Sequence, residues 1–330
     1  MTAKNILLLF GGGGSEHEVS IRSAKFFEQH LKQKNYLVTS VEITKTGPWQ
    51  LQDGSPCELR FDHHLHFSDK KIKIDYAIAC IHGYPGETGD IQSYFEIIKM
   101  PYFGAGPEAN RLCFNKIMTK LWLEKLHVPV VEYLFFSQWT KSEQNKALAF
   151  FEKHQQVYVK ASNQGSSVGC YQVEDRSQLN ESVEQAFTFS PFVLLEKRVI
   201  RPRELEVAAY TYKQKICFSH PGEILVPSDG RFYTYEEKYS TSSHTQTSAK
   251  ASDLEVETIT QIKDICLVTW NAFKLRHLSR IDFFLVDKKV YLNEVNTFPG
   301  ATPSSLFPKM IEADGVNFSD YLDDCIKPSC

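Results

Sequence analysis

Residues 7–24 read LLLFGGGGSEHEVSIRSA: an apolar run stops at four glycines, and an acidic, helix-starting segment follows. A strand, a glycine turn and a helix start make a phosphate cradle in many nucleotide-binding proteins, because the turn frees backbone N–H groups at the positive end of the helix. The same arrangement serves to place Glu16, His17 or Glu18 at the edge of a sheet. The choice decides whether the first part of the chain is a nucleotide domain, and it rests on the segments around it.

The chain has 330 residues, more than one core usually holds, so two or three packed subdomains are expected. A hydrophobic content of 42% with 23% charged residues is that of a soluble globular protein. The net charge of -3 offers no attraction for nucleic acid or a membrane surface, which leaves small-molecule chemistry as the expectation. Eight cysteines include no C-x-x-C pair, and several lie in apolar runs such as YAIACI (76–81), as reduced core thiols do. Ile6 to Phe10 is too short for a signal core, and no run approaches the ~20 apolar residues of a membrane helix. A cytoplasmic protein is expected.

Outward from the glycines, strand and helix signals alternate: a strand at 5–10, an amphipathic helix at 20–34, a strand at 36–43, a polar loop, a buried strand at 76–81 and a helix near 91–99. This alternation predicts a parallel sheet covered by helices, an α/β unit. A helical stretch from Pro107 to about His127 leads away, and 128–200 turns β-rich, as an α+β unit. Strands at 205–212 and 216–220, a long helix near 253–276 and a hairpin with Asp287-Lys288-Lys289 at its turn complete the pattern. The domain division expected is 1–108, 109–200 and 201–330. The polar stretch 227–252 is long for a connection, and its aromatic cluster FYTYEEKYS favours a lid over a linker.

Three segments carry chemistry. VKASNQGSSVG (159–169) is a strand ending in a lysine and a Gly/Ser loop, whose backbone N–H groups, hydroxyls of Ser166 and Ser167, and Lys160 ammonium suit nucleotide phosphates; plain hairpin connections share this composition. LLEKRVIRPRELEV (194–207) offers a strand end for an adenine edge and Glu204 for ribose hydroxyls, and reads equally as a solvated connector. RIDFFLVDKKVYLNEVNTFPG (280–300) is the most informative. Asp282 opens one strand, Glu294 and Asn296 end its partner on one face, and Asp, Glu and Asn are the hard oxygen ligands expected for Mg2+. Arg280 is a permanent cation able to face a developing oxyanion. DHHLH (62–66) lies in a polar loop with no standard zinc spacing, and Lys116 reads either as a surface charge or as a phosphate contact.

In order and spacing, the segments GGGGSEHEVSIRSA, HGYPGETGDIQSYFE, PYFGAGPEANRLCFNK, VKASNQGSSVG, LLEKRVIRPRELEV, FYTYEEKYS, SRIDFFL and LNEVNTFPGATPSSLFPKM resemble the D-alanine:D-alanine ligases over nearly the whole chain. That resemblance implies an ATP-grasp fold preceded by an N-terminal parallel-sheet domain, and a role in peptidoglycan precursor synthesis. It implies Lys116, Lys160, Ser166 and Ser167 at ATP phosphates, Glu196, Lys197 and Val199 at adenine, and Glu204 at ribose, with Asn293 also on the nucleotide and Lys238 reaching the γ-phosphate side. Asp282, Glu294 and Asn296 would bind two Mg2+ or Mn2+ ions. Glu16 would hold the first D-alanine with His82 nearby, Arg280 and the Gly300 amide its acyl oxygen, and Ser305 with the Leu306 amide the second D-alanine's carboxylate. Tyr239, Ser166 and Glu16 would join lid, phosphate loop and first domain.

The implied reaction passes through an acyl phosphate, and the implied assembly is a homodimer. Pro303 stands where some relatives carry a hydroxyl, and STSSHTQTSAKAS departs from the common lid pattern, while Tyr239 favours D-alanine over D-lactate as acceptor. A D-serine or D-lactate ligase and a non-catalytic nucleotide-binding homologue are the alternatives. With phosphates assigned to the loop after Lys160, the four glycines read as a tight turn that sets Glu16 at a helix start and lets substrate approach.

Overall fold

The run Asn5–Gly11 becomes the middle strand of a five-stranded sheet because both its faces are covered, with Ile6 and Leu8 buried on one and Leu7 and Leu9 on the other. The computed structural model describes residues 3–225 and 246–327. The sheet order is Trp49–Leu51, Leu37–Ile43, Asn5–Gly11, Tyr76–Cys80, Tyr102–Phe103, parallel throughout except for the first, antiparallel strand. Helix His17–Gln33 packs on one face and Asp90–Ile97 on the other. The expected alternation is therefore present, with the first helix starting at His17 rather than Ser20.

Two local expectations differ. The polar loop contains a three-stranded antiparallel sheet, Glu58–Leu59, His64–Phe67 and Lys70–Lys73, so DHHLH runs into a strand with Leu65 fully buried between two more exposed histidines. Its strands are too short and polar to show period-two alternation at sequence level. The helical stretch from Pro107 is two helices, Pro107–Phe114 and Lys116–Lys125. Asn115 between them is extended, and its side chain accepts from the amides of Ile117 and Met118, which caps the second helix at its start.

The central unit is a four-stranded antiparallel sheet, ordered Cys170–Val173, Val157–Ala161, Val193–Lys197, Tyr133–Phe136, with helices Lys141–His154 and Leu179–Phe187 closing one core. A six-stranded antiparallel sheet follows, in which Arg203–Tyr212 lies between Gly222–Leu225 and Leu278–Val286 and also pairs Lys215–Phe218. The hairpin of Leu278–Val286 and Lys289–Asn296 closes through Asp287 and Lys288, whose φ of +48° and +62° are those of a two-residue turn matched to strand twist. Asp282 sits inside its strand, which begins at Leu278, rather than opening it. The expected lid falls largely on residues outside the described ones; Gln246–Ser248, within its span, is an edge strand beside Gly222–Leu225.

One face of this sheet packs on helix Val256–Ala272 and on Leu112, Cys113 and Leu123 of the two short helices. The other shares a core with the first sheet through Phe307, Phe318 and Tyr321 of helices Leu306–Ala313 and Phe318–Ile326. Phe27 is fully buried at this joint, with ring centroids 5.9 Å from Phe103, 5.5 Å from Phe298 and 5.6 Å from Phe318. Phe27→Ala is expected to cost about 3–5 kcal/mol, read as a lower urea midpoint at unchanged slope in circular dichroism.

Candidate active site

Glu16 follows strand Asn5–Gly11 and His82 follows the neighbouring parallel strand Tyr76–Cys80, so both stand beyond the carboxyl ends of the sheet, where open α/β sheets bind ligands. The first two of the four glycines before Glu16 form a packed turn. Gly11 and Gly12 have φ of +90° and +96°, and a side chain there would meet the carbonyl oxygens of Ile43 at 2.3 Å and Tyr84 at 2.6 Å. At Gly11 and Gly12 the close approach is made by the chain itself, and a helix starts immediately after Glu16. Glu18 is exposed, 4.0 Å from Lys45, and His17 is tied to the Gly12 carbonyl at 2.8 Å and to Glu42 at 3.2 Å.

A cavity of about 850 Å³ opens in front of Glu16 and His82. Lys116, Ser166, Glu204, Arg280, Asp282, Asn293, Glu294, Asn296, Gly300, Ser305 and Leu306 also line it. Lys160, Ser167, Glu196, Lys197 and Val199 stand outside its wall, on the central sheet and its loops. Lys238 and Tyr239 lie outside the described residues. Two thirds of the expected trio is in contact, since the Ser166 hydroxyl donates to Glu16. Ser166 and Ser167 hold φ of +50° and +62°, uncommon for non-glycine residues, and Gly165 leaves only 2.9 Å between a would-be Cβ and the Glu16 carboxylate. The phosphate-type loop thus closes on the first domain.

The His82 ring bridges the same joint. Its Nδ1 faces the Phe298 carbonyl at 3.1 Å, which only an N–H can satisfy, so Nε2 accepts from the Ser23 hydroxyl at 2.9 Å. Burial lowers its pKa against the pull of Glu16, consistent with this neutral form. Ser23 in turn accepts from the Ala301 amide at 3.4 Å. Ser23 escaped the sequence reading, and its only signal was a serine on the buried face of the first helix.

On the large sheet, Glu206, Asp282 and Glu294 stand in one row across three adjacent strands. Pairing skips Asn293, because Asp282 opposes Glu294 while Phe283 opposes Leu292; this bulge lets consecutive Asn293 and Glu294 both reach the cavity. Arg280 binds Asp282 in a fork, at 2.8 and 2.7 Å, and lies 3.2 Å from Glu206. Asn296 donates to Asp282 at 3.0 Å. Burial pushes the Asp282 carboxyl up to about 8 against the pull of Arg280, with Glu206 and Glu294 adding to the rise. The row is thus crowded with negative charge, as a divalent-cation site of oxygen donors is. Glu206 was not among the sequence candidates, since a single glutamate in a strand gives no hint of its cross-strand neighbours.

At the far side, Lys116 donates to the Gln164 carbonyl at 2.5 Å, and Lys160 and the unanticipated Lys120 each lie 2.5 Å from one oxygen of Glu196. Burial would raise the Glu196 carboxyl, but the two ammonium groups hold it at about 2. Ser305 occupies the cap position of helix Leu306–Ala313 without bonding its amides, while its hydroxyl meets Thr302 at 2.8 Å. Those uncapped amides suit an anion, although the helix is short. Among the described residues no three His, Cys, Asp or Glu side chains gather closely enough to ligate one ion by themselves, the row of Glu206, Asp282 and Glu294 included.

Two family models match the chain, "D-ala D-ala ligase N-terminus" over residues 5–105 and "D-ala D-ala ligase C-terminus" over 122–327. A D-alanine–D-alanine ligase of Vibrio atlanticus is 51% identical, with 100% of this chain and 99% of the relative covered. The crystal structure of a D-alanyl-alanine synthetase A from Vibrio cholerae superposes with a TM-score of 0.94 at 46% identity, covering 100% and 99% of the two chains. A D-Ala:D-Ser ligase from Enterococcus faecalis reaches a TM-score of 0.85 over 100% of both chains at 24% identity, a likeness of fold alone.

Glu87, on the cavity wall and accepting from the Gly83 amide at 2.8 Å, has its carboxyl pushed up to about 8 by burial and by Glu16. Between its ordinary value of 4.5 and about 8 the folded chain keeps a proton that the unfolded chain releases. Its contribution therefore favours folding at low pH and is lost as pH rises through that window. The melting temperature of the native chain minus that of Glu87→Gln should accordingly fall steadily as melts are run from about pH 5 to pH 8.

Proposed function

The chain belongs to the D-alanine–D-alanine ligase family, and from that premise we propose how its cavity handles ATP and two molecules of D-alanine. It is an ATP-dependent ligase of the ATP-grasp fold that joins two D-alanines for peptidoglycan synthesis. The observation that carries the assignment of roles is that Glu16, in the turn after the first sheet, and Arg280, on the six-stranded sheet, line one cavity with the carboxylate row.

In this reading the ammonium of the first D-alanine sits against Glu16, which Ser166 holds in place. Neutral His82, fixed by Ser23 and Phe298, shapes the same pocket. The adenine lies by Glu196, Lys197 and Val199, the ribose by Glu204, and the phosphates by Lys116, Lys160, Ser166, Ser167 and Asn293. A carboxylate oxygen of the first D-alanine attacks the γ-phosphorus, and the bond to ADP breaks. Lysine ammonium groups offset the charge that gathers on the phosphoryl oxygens. Asp282, Glu294 and Asn296 fit two Mg2+ or Mn2+ ions as oxygen donors beside the negative charge of Glu206 and Glu294, and bound cations would neutralise phosphate charge there.

The amine of the second D-alanine, its carboxylate held by Ser305 and the Leu306 amide, then attacks the acyl carbon. Arg280 and the Gly300 amide face the oxyanion, phosphate leaves, and the nitrogen loses a proton. The roles given to Lys238 and Tyr239 concern residues outside the described ones. We place the enzyme in the cytoplasm as a homodimer; the seven cysteines among the described residues, all free thiols, support the compartment.

Phosphate release from ATP and Mg2+ should depend on D-alanine, with the dipeptide seen by mass, and D-serine or D-lactate should compete poorly as acceptors. No D-alanine-dependent release would overturn the assignment. Glu16→Gln should raise the KM for D-alanine by about tenfold or more while ATP binding holds, the loss of one charged hydrogen bond. Equal loss of ATP binding would instead restore the glycine turn as a nucleotide site. Turnover that survives Asp282→Asn with Glu294→Gln would place the metals elsewhere.

A further inference from the structure

Lys120 has no part in the roles assigned above, yet its side chain is 97% buried, one helical turn after Lys116. Its ammonium lies 2.5 Å from one oxygen of Glu196, 3.4 Å from the Val131 carbonyl and 5.2 Å from the centre of the Tyr133 ring. The other Glu196 oxygen is 2.5 Å from Lys160. One carboxylate therefore faces two ammonium groups in an enclosed site, and one positive charge is left over.

We propose that Lys120 is a positioning residue for nucleotide binding: by neutralising Glu196 permanently, it leaves the charge of Lys160 available to the phosphates of a nucleoside triphosphate. This rests on the reading of Lys160 as a phosphate contact. A buried carboxylate stripped of its only cation is strongly disfavoured. Without Lys120, any movement of Lys160 toward phosphate would create that state, so Lys160 would stay paired with Glu196. With Lys120 in place, Glu196 keeps a partner wherever the Lys160 ammonium goes. Burial lowers the proton affinity of Lys120 against the pull of Glu196, while the Lys160 ammonium is stabilised by Glu196 over the opposing effect of burial.

Calorimetric titration with ATP, done without turnover, tests this on Lys120→Met, Lys120→Arg, Glu196→Gln, the Lys120→Met/Glu196→Gln double variant and Lys160→Met. Lys120→Met should weaken ATP binding about tenfold, with the KM for D-alanine within about twofold of the native value. Lys120→Arg should restore ATP binding. The double variant should bind ATP no more weakly than Glu196→Gln alone, because with the carboxylate gone there is nothing to neutralise. A folded Lys120→Met with unchanged ATP affinity, or one that loses ATP and D-alanine affinity alike, overturns the inference. Should Lys120→Met not fold, a double variant weaker than Glu196→Gln alone overturns it in the same way. Unchanged ATP affinity in Lys160→Met overturns the phosphate reading itself, whereas loss in Lys160→Met without loss in Lys120→Met overturns only the role of Lys120.

Discussion

An ionised carboxylate inside a protein must be matched by positive charge or take up a proton, and this requirement organises the molecule around its cavity. Glu206, Asp282 and Glu294 are brought into one row by the register of three strands, and Arg280 is the cation that the row holds. Glu196 poses the same demand on the central sheet and meets it with Lys120 and Lys160. Each cluster combines residues assigned to the reaction with a charge that has no assigned role, Glu206 in one and Lys120 in the other. In the second cluster the companion lets Lys160 change partner without stranding the buried charge of Glu196.

The two clusters work together only if the separate cores stay in register. Three contacts serve that end. Phe27 locks the first helix to Phe103, Phe298 and Phe318, joining the first sheet to the terminal helices. The chain from Ala301 through Ser23 and His82 to Phe298 ties the same helix to the loop that carries Gly300. Ser166 on Glu16 draws the loop of the central sheet onto the first domain. The wall of the cavity is therefore made of groups from all the large sheets, and its shape depends on polar contacts that no single sheet could supply.

Much of this is legible in the sequence. The apolar run at Asn5–Gly11, the hairpin around Asp287-Lys288 and the helix starting at Pro107 follow from periodicity, turn chemistry and proline. The helix break at Asn115 was missed because an asparagine between two helical stretches reads as a tolerated interior residue, whereas its side chain caps a new helix. DHHLH was placed in a loop because a four-residue polar strand shows too few alternations to register. Lys120 looked like an ordinary helix lysine, and Glu87 like an ordinary turn glutamate, because partners distant in sequence decide whether a charge is buried.

The sequence by itself determined the order of strands and helices, the chemical types available to a site, and the family, because these depend on local spacing and on motifs read along the chain. Tertiary structure alone decided what those groups do to one another. The bulge at Asn293 turns two neighbouring side chains into the same cavity, against the alternation of a strand. The carbonyl oxygens of Ile43 and Tyr84 fill the space beside Gly11 and Gly12, so that these two residues form a packed turn behind Glu16. Both outcomes depend on groups far apart in the chain, and distance along a chain carries no information about the field or the steric limits that such groups impose across it.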